Sequence, residues 1–426
     1  MQNVQNNVAA QLQARKNTEV MMKRFKLDIN DYNKGVNKTE DLKKVPPLLV
    51  TAQVAVNTTV HDQTGSGTPL RKGSVMVMPI GVFQQMKRES GGSKRKVLKP
   101  FRRPFTDFFN RYDGQNLDNK KLLIIRGGGF GDLMFLQPLV KKLKEQYPTC
   151  KITLASYGRF LPIVVNWPEG LLDNIVPVPF AKEIMQTHDY HLVFEGLIER
   201  NKEAERENCY DLHSTMAGVD IDMTDNKYKL ELDVTKEIEN EIKSKLPEDF
   251  VIIQLRASSP IRMMKEEKWV EIINGLVEMG KTVAILDRKQ LKPYYDAFIK
   301  KHELDTEKVV NLSEYSSTIN HAVAIISKAS GVIGVDSAYV HIAEALGVKG
   351  VGIYSSFLGD LRVRYYENVD FVQAEEGHCD KQPCFYHHEA ATLCPSIKAK
   401  QEPACSMGVN TQEVLDKYKK LIEFKG

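Results

Sequence analysis

The first group of residues that could do chemistry is a glycine-rich turn that ends in an acid. It follows the apolar stretch LLIIR and reads Gly127-Gly128-Gly129-Phe130-Gly131-Asp132. Glycines let the backbone approach a ligand closely, and the N–H groups at the start of a following helix favour an anion. A carboxylate at this position can accept a proton from an attacking hydroxyl group. Asp132 is therefore a candidate general base, and a helix-start residue that interacts with the macrodipole is the alternative.

The same turn argues against a nicotinamide-dependent enzyme. In the dinucleotide fingerprint G-x-G-x-x-G, the third glycine is replaced here by Asp132. The second apolar stretch ends in Ala155-Ser156, so it offers no acid for a ribose hydroxyl. These two departures from the fingerprint disfavour a nicotinamide-dependent enzyme.

The second group follows another apolar stretch, GVIGV. Its candidates are Asp336, Ser337, Ala338 and His341 in the segment DSAYVHIA. A strand that ends at Val335 and a helix that follows it would point N–H groups beyond the carboxyl edge of a sheet, where a diphosphate can be held. His341 lies four residues after Ser337 and so shares its helical face. A histidine that only packs in the core is the alternative.

Four of the six cysteines lie close together in the sequence. Cys379, Cys384, Cys394 and Cys405 have the spacing C-x4-C-x9-C-x10-C, with three histidines nearby. Zinc sites more often use C-x2-C pairs, so the spacing only suggests a structural zinc site. A redox-active pair and reduced packing or surface thiols are the alternatives.

The elements that would position these residues follow from apolar periodicity. From Lys120 onward, short apolar runs alternate with amphipathic segments, which is typical of βαβ units with a parallel sheet. Two such series predict two α/β domains, over residues 118–232 and 247–410. A linker helix is predicted at 233–246, and 411–426 is predicted to be a helix that packs back on the first domain.

Residues 1–117 differ from the rest and predict a separate N-terminal extension. They begin Gln/Asn-rich, and the first 120 residues carry 21 Lys+Arg against 10 Asp+Glu, whereas the remainder has a net charge of −7. The segment 87–103 alone has eight basic residues and one acid. We interpret this segment as a solvated tether, or as a surface that meets DNA, another polyanion or a partner.

The sequence offers no sign of membrane insertion. No apolar run approaches the roughly 18 residues that span a bilayer, and no apolar stretch follows the first basic residues as it does in a signal peptide. We therefore predict no transmembrane segment and a cytoplasmic location.

Two segments resemble a known family. LLIIRGGGFGDLMFLQPLVKKLKEQYP is similar to the opening strand, acid-containing turn and first helix of the ADP-heptose:lipopolysaccharide heptosyltransferases, glycosyltransferase family nine. The segment from VVNLSEYSSTINHAV to GVDSAYVHIAEALGVKGVGIYSS is similar to the second-domain signature of that family, D-[ST]-G-x-x-H-[LI]-A. The resemblance covers roughly residues 120–410.

The resemblance implies a fold and an activity. The fold is α/β, with two facing Rossmann-like domains, the B-type glycosyltransferase fold, behind the basic N-terminal extension. The activity is inverting transfer from a nucleoside-diphosphate sugar, with an ADP-sugar favoured, to a hydroxyl of a glycan or lipopolysaccharide-type acceptor. The resemblance implies no cofactor and no catalytic metal.

The resemblance also assigns residues. Asp132 falls on the catalytic position of the turn, and Asp336, Ser337, Ala338 and His341 fall on the diphosphate motif, where Ala338 replaces a glycine. The lysine expected two positions before a tryptophan is Glu267 in this chain, so another basic residue must contact the phosphates. The candidates are Lys265, Lys268, Arg262 and Arg256.

Four alternatives remain open. Asp287, after the stretch TVAIL, is a candidate ribose contact or an ordinary strand-end turn residue. Glu195, after HLVF, is the next carboxylate to consider if Asp132 is structural. The chain could also be a viral-type transferase that acts on modified DNA bases in a host cytoplasm, which the basic extension motivates. A degenerate family member that serves as a structural or binding module is the last alternative.

Overall fold

A computed structural model describes residues 37–43, 49–54, 58–61, 67–79, 98–100, 108–199, 201–384 and 394–423. These residues form two compact units. The first unit holds the described residues up to 165 together with 169–228, and the second holds 166–168 and the described residues from 229 onward. None of the helices in these residues combines the length and the apolar character needed to cross a bilayer.

Strands and helices are numbered in chain order over the described residues. The strands are β1 (Leu49–Val54), β2 (Thr58–His61), β3 (Gly67–Leu70), β4 (Val75–Pro79), β5 (Leu98–Pro100), β6 (Lys121–Ile125), β7 (Lys151–Tyr157), β8 (Asn174–Val178), β9 (Phe180–Ala181), β10 (Tyr190–Val193), β11 (Phe250–Gln254), β12 (Thr282–Ile285), β13 (Val309–Asn311), β14 (Gly331–Val335), β15 (Gly350–Tyr354) and β16 (Val369–Gln373). The helices are α1 (Thr39–Leu42), α2 (Phe130–Met134), α3 (Gln137–Gln146), α4 (Lys182–Gln186), α5 (Cys209–Ala217), α6 (Lys236–Ile242), α7 (Glu266–Glu278), α8 (Lys292–Lys301), α9 (Ile319–Ile326), α10 (Ala338–Ala345), α11 (Asp360–Val363), α12 (Pro395–Lys398) and α13 (Thr411–Glu423).

The first unit contains a parallel sheet with the strand order β10-β6-β7-β8. Strand β6 is buried along nearly its whole length, which explains its unbroken apolar sequence. From β6 the chain adds β7 and β8 on one side and then returns to place β10 on the other. The carboxyl ends of β6 and β10 therefore flank the switch point of the sheet, where such folds bind ligands.

The N-terminal residues contribute a second sheet to this unit. It is antiparallel, with the order β5-β1-β4-β9, and its last strand comes from within the predicted first domain. Apolar side chains of β1 and β4 share one core with Leu123, Ile125 and Val193 of the parallel sheet. Strands β2 and β3 form a separate hairpin-like pair. The predicted separate extension is therefore wrong for β1 and β4, because their apolar faces are buried against the first domain.

The second unit is built on a six-stranded parallel sheet. Its order is β13-β12-β11-β14-β15-β16, so the switch point lies between β11 and β14. The segments that follow these two strands are the ones singled out in the sequence near Arg256 and Asp336. Helix α6, which falls in the predicted linker, packs on α9. Glu239 of α6 also forms a salt bridge with Lys328, which follows α9.

The terminal helix α13 packs on the second unit itself, whereas the sequence predicts packing on the first domain. Val414 and Tyr418 are completely buried in the core of the second unit. Thr411 donates a hydrogen bond to Glu271 of α7 at 2.8 Å. A side chain at Gly331 of β14 would collide with the ring of Tyr418, so the glycine makes room for the helix.

Candidate active site

The predicted glycine-rich turn lies at the switch point of the first unit. It leaves β6 at Arg126 and reaches α2 at Phe130. Gly128 has a φ of +108°, which only glycine adopts without strain. A side chain at Gly127 would collide with Tyr157 and Glu195. The turn is thus held between the ends of the two neighbouring strands, β7 and β10.

Asp132 is bound through both carboxylate oxygens. Its Oδ1 accepts a hydrogen bond from Nη2 of Arg126 at 2.6 Å, and its Oδ2 accepts one from the N–H of Gly129 at 2.7 Å. The contact with Gly129 is the helix-start interaction that the alternative for Asp132 requires. About a third of the side chain remains exposed, at 32%, so a substrate hydroxyl can still reach the carboxylate.

Arg126 connects the ends of β6 and β10. Its side chain is only 1% exposed, and it donates hydrogen bonds to the backbone oxygen of Phe194 and to both oxygens of Glu199. Burial alone would lower the pKa of Arg126, but Glu199 and Asp132 raise it well above its usual value. The guanidinium is therefore permanently charged and fixed in place.

Glu195 is a second carboxyl group at this edge. It follows β10, is half-buried, and accepts a hydrogen bond from the N–H of Gly127. Burial raises the pKa of Glu195 to about 7, with Arg126 acting in the opposite direction. Sequence reasoning kept Glu195 only as a reserve candidate and missed Arg126 and Glu199. The signal for Arg126 was its position directly after the apolar stretch LLII, whereas Glu199 does not directly follow such a stretch.

The second predicted cluster lies at the switch point of the second unit. Asp336 follows β14, and Ser337 is the residue before α10 and donates to Oε1 of Gln254 at the end of β11. Arg262 donates a hydrogen bond to the backbone oxygen of Asp336 at 2.6 Å, and its guanidinium lies 3.5 Å from the Asp336 carboxylate. A fixed cation thus lies beside the start of a helix, which is a favourable place for an anion.

His341 is buried in α10. Its Nδ1 forms a hydrogen bond with the hydroxyl of Tyr366 at 2.7 Å, and which atom donates depends on the imidazole tautomer. The side chain is only 3% exposed. The structure therefore shows a packed, hydrogen-bonded histidine three residues after Ala338, the first residue of the helix.

The basic candidates separate into two groups. Arg262 lies at Asp336, and Arg256 follows β11 with its guanidinium 5.1 Å from the ring centre of Tyr294. Lys268 instead donates to the backbone oxygen of Val409, and Lys265 is the residue before α7. The structure therefore favours Arg262 over the two lysines as the cation near the proposed diphosphate position.

Asp287 lies at the end of β12 and is largely enclosed. It accepts a hydrogen bond from the hydroxyl of Tyr295 at 2.7 Å and one from the N–H of Arg288. Burial raises its pKa, while Tyr295 and Arg288 act to lower it. Arg256 is also close enough to lower the pKa, so Asp287 and Arg256 share one edge of the sheet.

The four late cysteines surround one small cavity. Cys379, Cys384, Cys394 and Cys405 all line a space of about 10 Å³. No disulfide joins them, and burial raises the pKa of Cys405 to about 12. Across the described ranges, no group of three or more acidic, cysteine or histidine side chains is arranged to hold a metal ion. Two of the three nearby histidines, at 387 and 388, lie outside the described residues.

Comparison with protein families gives one match. Residues 194–388 match the family model of glycosyltransferase family 9 (heptosyltransferase). The match starts just after β10 and contains Glu195, Asp336 and His341, whereas Asp132 lies outside it. No curated protein matches the chain.

Solved structures with the same fold include three transferases. A glycosyltransferase family 9 protein from Veillonella parvula is 12% identical, with a TM-score of 0.56 over 73% of this chain and 99% of that chain. The ADP-heptose LPS heptosyltransferase II of E. coli is 15% identical, with a TM-score of 0.53 over 71% and 98%. The dodecameric iron-containing heptosyltransferase TibC of enterotoxigenic E. coli, in complex with ADP-D-β-D-heptose, is 13% identical, with a TM-score of 0.50 over 88% and 92%.

These matches confirm the predicted resemblance and the predicted fold class of two Rossmann-like domains. Residues 194–388 are thus similar to the heptosyltransferases of glycosyltransferase family 9.

Proposed function

We propose that this heptosyltransferase-like glycosyltransferase moves a sugar from a nucleoside-diphosphate sugar to an acceptor hydroxyl, with inversion and without a catalytic metal. The observation that carries the proposal is the position of Arg262 beside the Asp336–Ser337 turn at the start of α10. Backbone N–H groups at a helix start and a fixed guanidinium together favour a diphosphate. This arrangement lies at a switch point, where α/β sheets bind nucleotides.

The donor that we propose is an ADP-sugar. TibC is known in complex with ADP-D-β-D-heptose, and this chain is similar to TibC in fold. Arg256, which follows β11, lies over the ring of Tyr294 in α8, and Asp287 follows β12 close to Arg256, so these residues offer a cation, an aromatic ring and a carboxyl group. We propose that Asp287 accepts hydrogen bonds from ribose hydroxyls, because its pKa is raised by burial and a polar ligand would satisfy the carboxylate.

The proposed mechanism is a single displacement at the anomeric carbon. The acceptor oxygen forms the new bond, the bond to the diphosphate breaks with its electron pair, and Asp132 takes the acceptor proton. The start of α10 and Arg262 stabilise the charge that develops on the leaving diphosphate. General-base help accounts for about 10²–10⁴-fold of the rate, and charge stabilisation for a comparable factor.

The acceptor that we propose is a glycan of the lipopolysaccharide type, since one relative with this fold is an LPS heptosyltransferase. A DNA acceptor stays a prediction, because residues 87–97 and 101–103 of the basic segment lie outside the described residues. A degenerate, non-catalytic role and a cytoplasmic location also stay predictions.

A second proposal concerns the cysteine cavity. TibC is iron-containing, and four cysteine sulfurs are a donor set that suits both iron and zinc. In this chain four thiols line one cavity that is roomy enough for about one small atom. We propose that they bind a structural metal ion once the sulfurs draw together around it. We propose a structural role for this ion and assign it no step in the transfer.

Ligand binding tests the proposed donor site. Thermal unfolding with ADP, UDP, GDP and ADP-heptose should show stabilisation by the true nucleotide of about 2.7 kcal/mol at 100 times its dissociation constant. Arg262→Ala should weaken that binding by about 10-fold or more, because it removes the charge-assisted contact. Lys268→Ala is the matched control, since Lys268 contacts Val409. A folded protein that binds none of these ligands would contradict the proposal and favour the degenerate module.

Metal analysis tests the cysteine proposal. We expect elemental analysis of the purified full chain to find about one equivalent of iron or zinc. Cys405→Ser and Cys394→Ser should each lower the metal content, whereas Cys150→Ser, at a buried cysteine of the first unit, should leave it unchanged. Protein prepared under metal-replete conditions that contains no metal would show that the four thiols only pack together.

A further inference from the structure

We infer that Glu195 is a positioning residue for the proposed general base Asp132, and that ionisation of Glu195 makes Asp132 a better proton acceptor. The inference rests on the proposed function, because it takes Asp132 as the proton acceptor. It adds a residue that neither contacts the donor site nor belongs to the predicted catalytic set.

The first step is the contact between Glu195 and the turn. The carboxyl group of Glu195 accepts the N–H of Gly127, and the space where a side chain of Gly127 would lie is filled by Glu195 and Tyr157. Two residues later, the N–H of Gly129 is bound by Asp132. Glu195 therefore fixes the entry of the turn, while Asp132 fixes its exit.

The second step is the connection through Arg126. This guanidinium donates one hydrogen bond to Asp132 in α2 and another to the backbone oxygen of Phe194, the residue before Glu195. Glu199 takes two further hydrogen bonds from the same group. The position and charge of Asp132 are thus coupled to the segment 194–199 through one buried cation.

The third step is the balance of charge. One guanidinium faces the carboxyl groups of Asp132, Glu195 and Glu199, so three negative charges would compete for one positive charge. His213, close to the same cluster, does not help, because burial lowers its pKa to about 4 and leaves it neutral. The cluster therefore keeps one proton near neutral pH, and Glu195 is the group whose pKa is raised.

Several elements contribute titratable and charged groups to the surroundings of Glu195. The titratable and charged groups at this place are Arg126 after β6, Asp132 in α2, Tyr157 and Arg159 at and after the end of β7, Glu199 after β10 and His213 in α5. Tyr157 keeps its proton, because burial and the charge of Glu195 raise its pKa. Arg159 lies over the ring of Tyr157 and is not bound to Glu195 in the described contacts.

The consequence is a division of roles between the two carboxyl groups. When Glu195 is protonated, Arg126 stabilises the charge of Asp132 more completely and makes it a poorer proton acceptor. When Glu195 is ionised, its negative charge offsets part of the stabilisation that Arg126 gives to the carboxylate of Asp132. Asp132 then takes up a proton more readily. We therefore expect turnover to rise with pH as Glu195 ionises, although Asp132 is the group that takes the proton from the hydroxyl of the sugar acceptor.

The experiment is the pH profile of kcat with saturating donor and acceptor, from pH 5.5 to 8.5, for the full chain and for Glu195→Gln. Wild type should show an acid limb with a midpoint near 7. Glu195→Gln keeps the size of the side chain and an oxygen for the Gly127 N–H, but it cannot ionise. We expect it to lose this acid limb and to keep a lowered, pH-independent turnover with the donor KM within about 3-fold of wild type.

Two further variants keep the result decisive. Glu195→Asp retains an ionisable group and should restore an acid limb at a shifted midpoint, which a purely structural role would not do. Asp132→Asn should lower turnover by about 10²–10⁴-fold across the whole pH range. Near-normal turnover in this variant would contradict the assignment of the base in the proposed function, whereas the Glu195 variants test this inference. An unchanged acid limb in Glu195→Gln would overturn the inference. If Glu195→Gln does not fold, a Glu195→Asp profile identical to wild type would overturn it equally.

Discussion

The Nη2 atom of Arg126 lies 2.6 Å from Oδ1 of Asp132, and this pair joins a buried cation to a partly exposed carboxylate. A carboxylate in such a pair is held in one orientation, which favours a directed role in proton transfer. The same pair makes Asp132 structurally necessary to some degree, because Arg126 would lose one of its two carboxylate partners without it. Substitutions in this cluster therefore have to be judged by both stability and turnover.

The stability of the protein should depend on pH through Glu195. Its pKa of about 7 in the folded state lies above the ordinary value of 4.5, so the folded protein holds a proton that the unfolded chain has already released. Stability should therefore fall as pH rises from about 4.5 to 7. Glu195→Gln should remove this loss, so its stability relative to wild type should improve by about 1–3 kcal/mol between pH 5 and pH 8.

Urea unfolding at the two pH values measures this difference. Glu169→Gln, at an exposed acid of the same unit, is the control and should show no comparable change. An equal effect of Glu195→Gln at both pH values would mean that Glu195 is ionised in the same range in the folded and unfolded protein.

His341 offers a test between donor binding and core packing. His341→Ala removes a buried side chain and its hydrogen bond with Tyr366, so we expect a loss of stability of about 1–3 kcal/mol. If His341 also orders the donor site, nucleotide affinity should fall by about 10-fold or more. Calorimetric titration with the nucleoside diphosphate measures the affinity.

Tyr366→Phe is the matched variant, because it removes only the hydroxyl that His341 contacts. We expect it to lower affinity by about 2- to 10-fold, in line with one hydrogen bond. A His341→Ala protein that is less stable but binds nucleotide normally would assign His341 to packing alone.

Local motifs were predictable from the sequence because they depend on neighbours in the chain. The turn before Asp132 and the helix start at Ser337 both lie where an apolar strand gives way to glycine or small polar residues. Such strand-to-helix junctions carry their own signal. The order of the strands then brings the two junctions to switch points, as the βαβ pattern predicts.

The missed features depend on contacts between distant segments. Arg126 and Glu199 are 73 residues apart, and only the pairing of β6 with β10 brings them together. Strand β9 has two residues and pairs with β4 across about a hundred positions, so no local pattern reveals that the N-terminal strands join the first unit. The docking of α13 has the same origin, since an amphipathic helix does not specify which apolar surface it will cover.

The docking of α13 predicts that the C-terminus is needed for the stability of the second unit. Tyr418 is completely buried, so Tyr418→Ala should cost about 3–5 kcal/mol through lost burial and a cavity. Lys419→Ala, at the exposed neighbour, should cost less than about 0.5 kcal/mol. Chemical denaturation measures both values. A small effect of Tyr418→Ala would mean that α13 is not held in the core of the unit.

Asp132→Asn separates the catalytic role from the helix-start role. The amide keeps the size of the side chain and an oxygen for the N–H of Gly129, so the turn and α2 should form. It loses the negative charge that Arg126 faces, but Glu199 still binds the guanidinium, and Asp132 is partly exposed. We therefore expect a stability cost of about 1–2 kcal/mol, which lies below the cost of breaking a fully buried ion pair.

Turnover should respond far more strongly than stability to this change. An amide does not accept the acceptor's proton, so kcat should fall by about 10²–10⁴-fold, while the affinity for the nucleotide sugar should stay within about 3-fold because the donor contacts lie in the second unit. Glu199→Gln is the matched control: it also removes one carboxylate partner of Arg126 but leaves the proposed base in place. Near-normal turnover in Asp132→Asn would assign the residue to structure. In that case Glu195, which follows β10 and contacts the same turn, becomes the base to test.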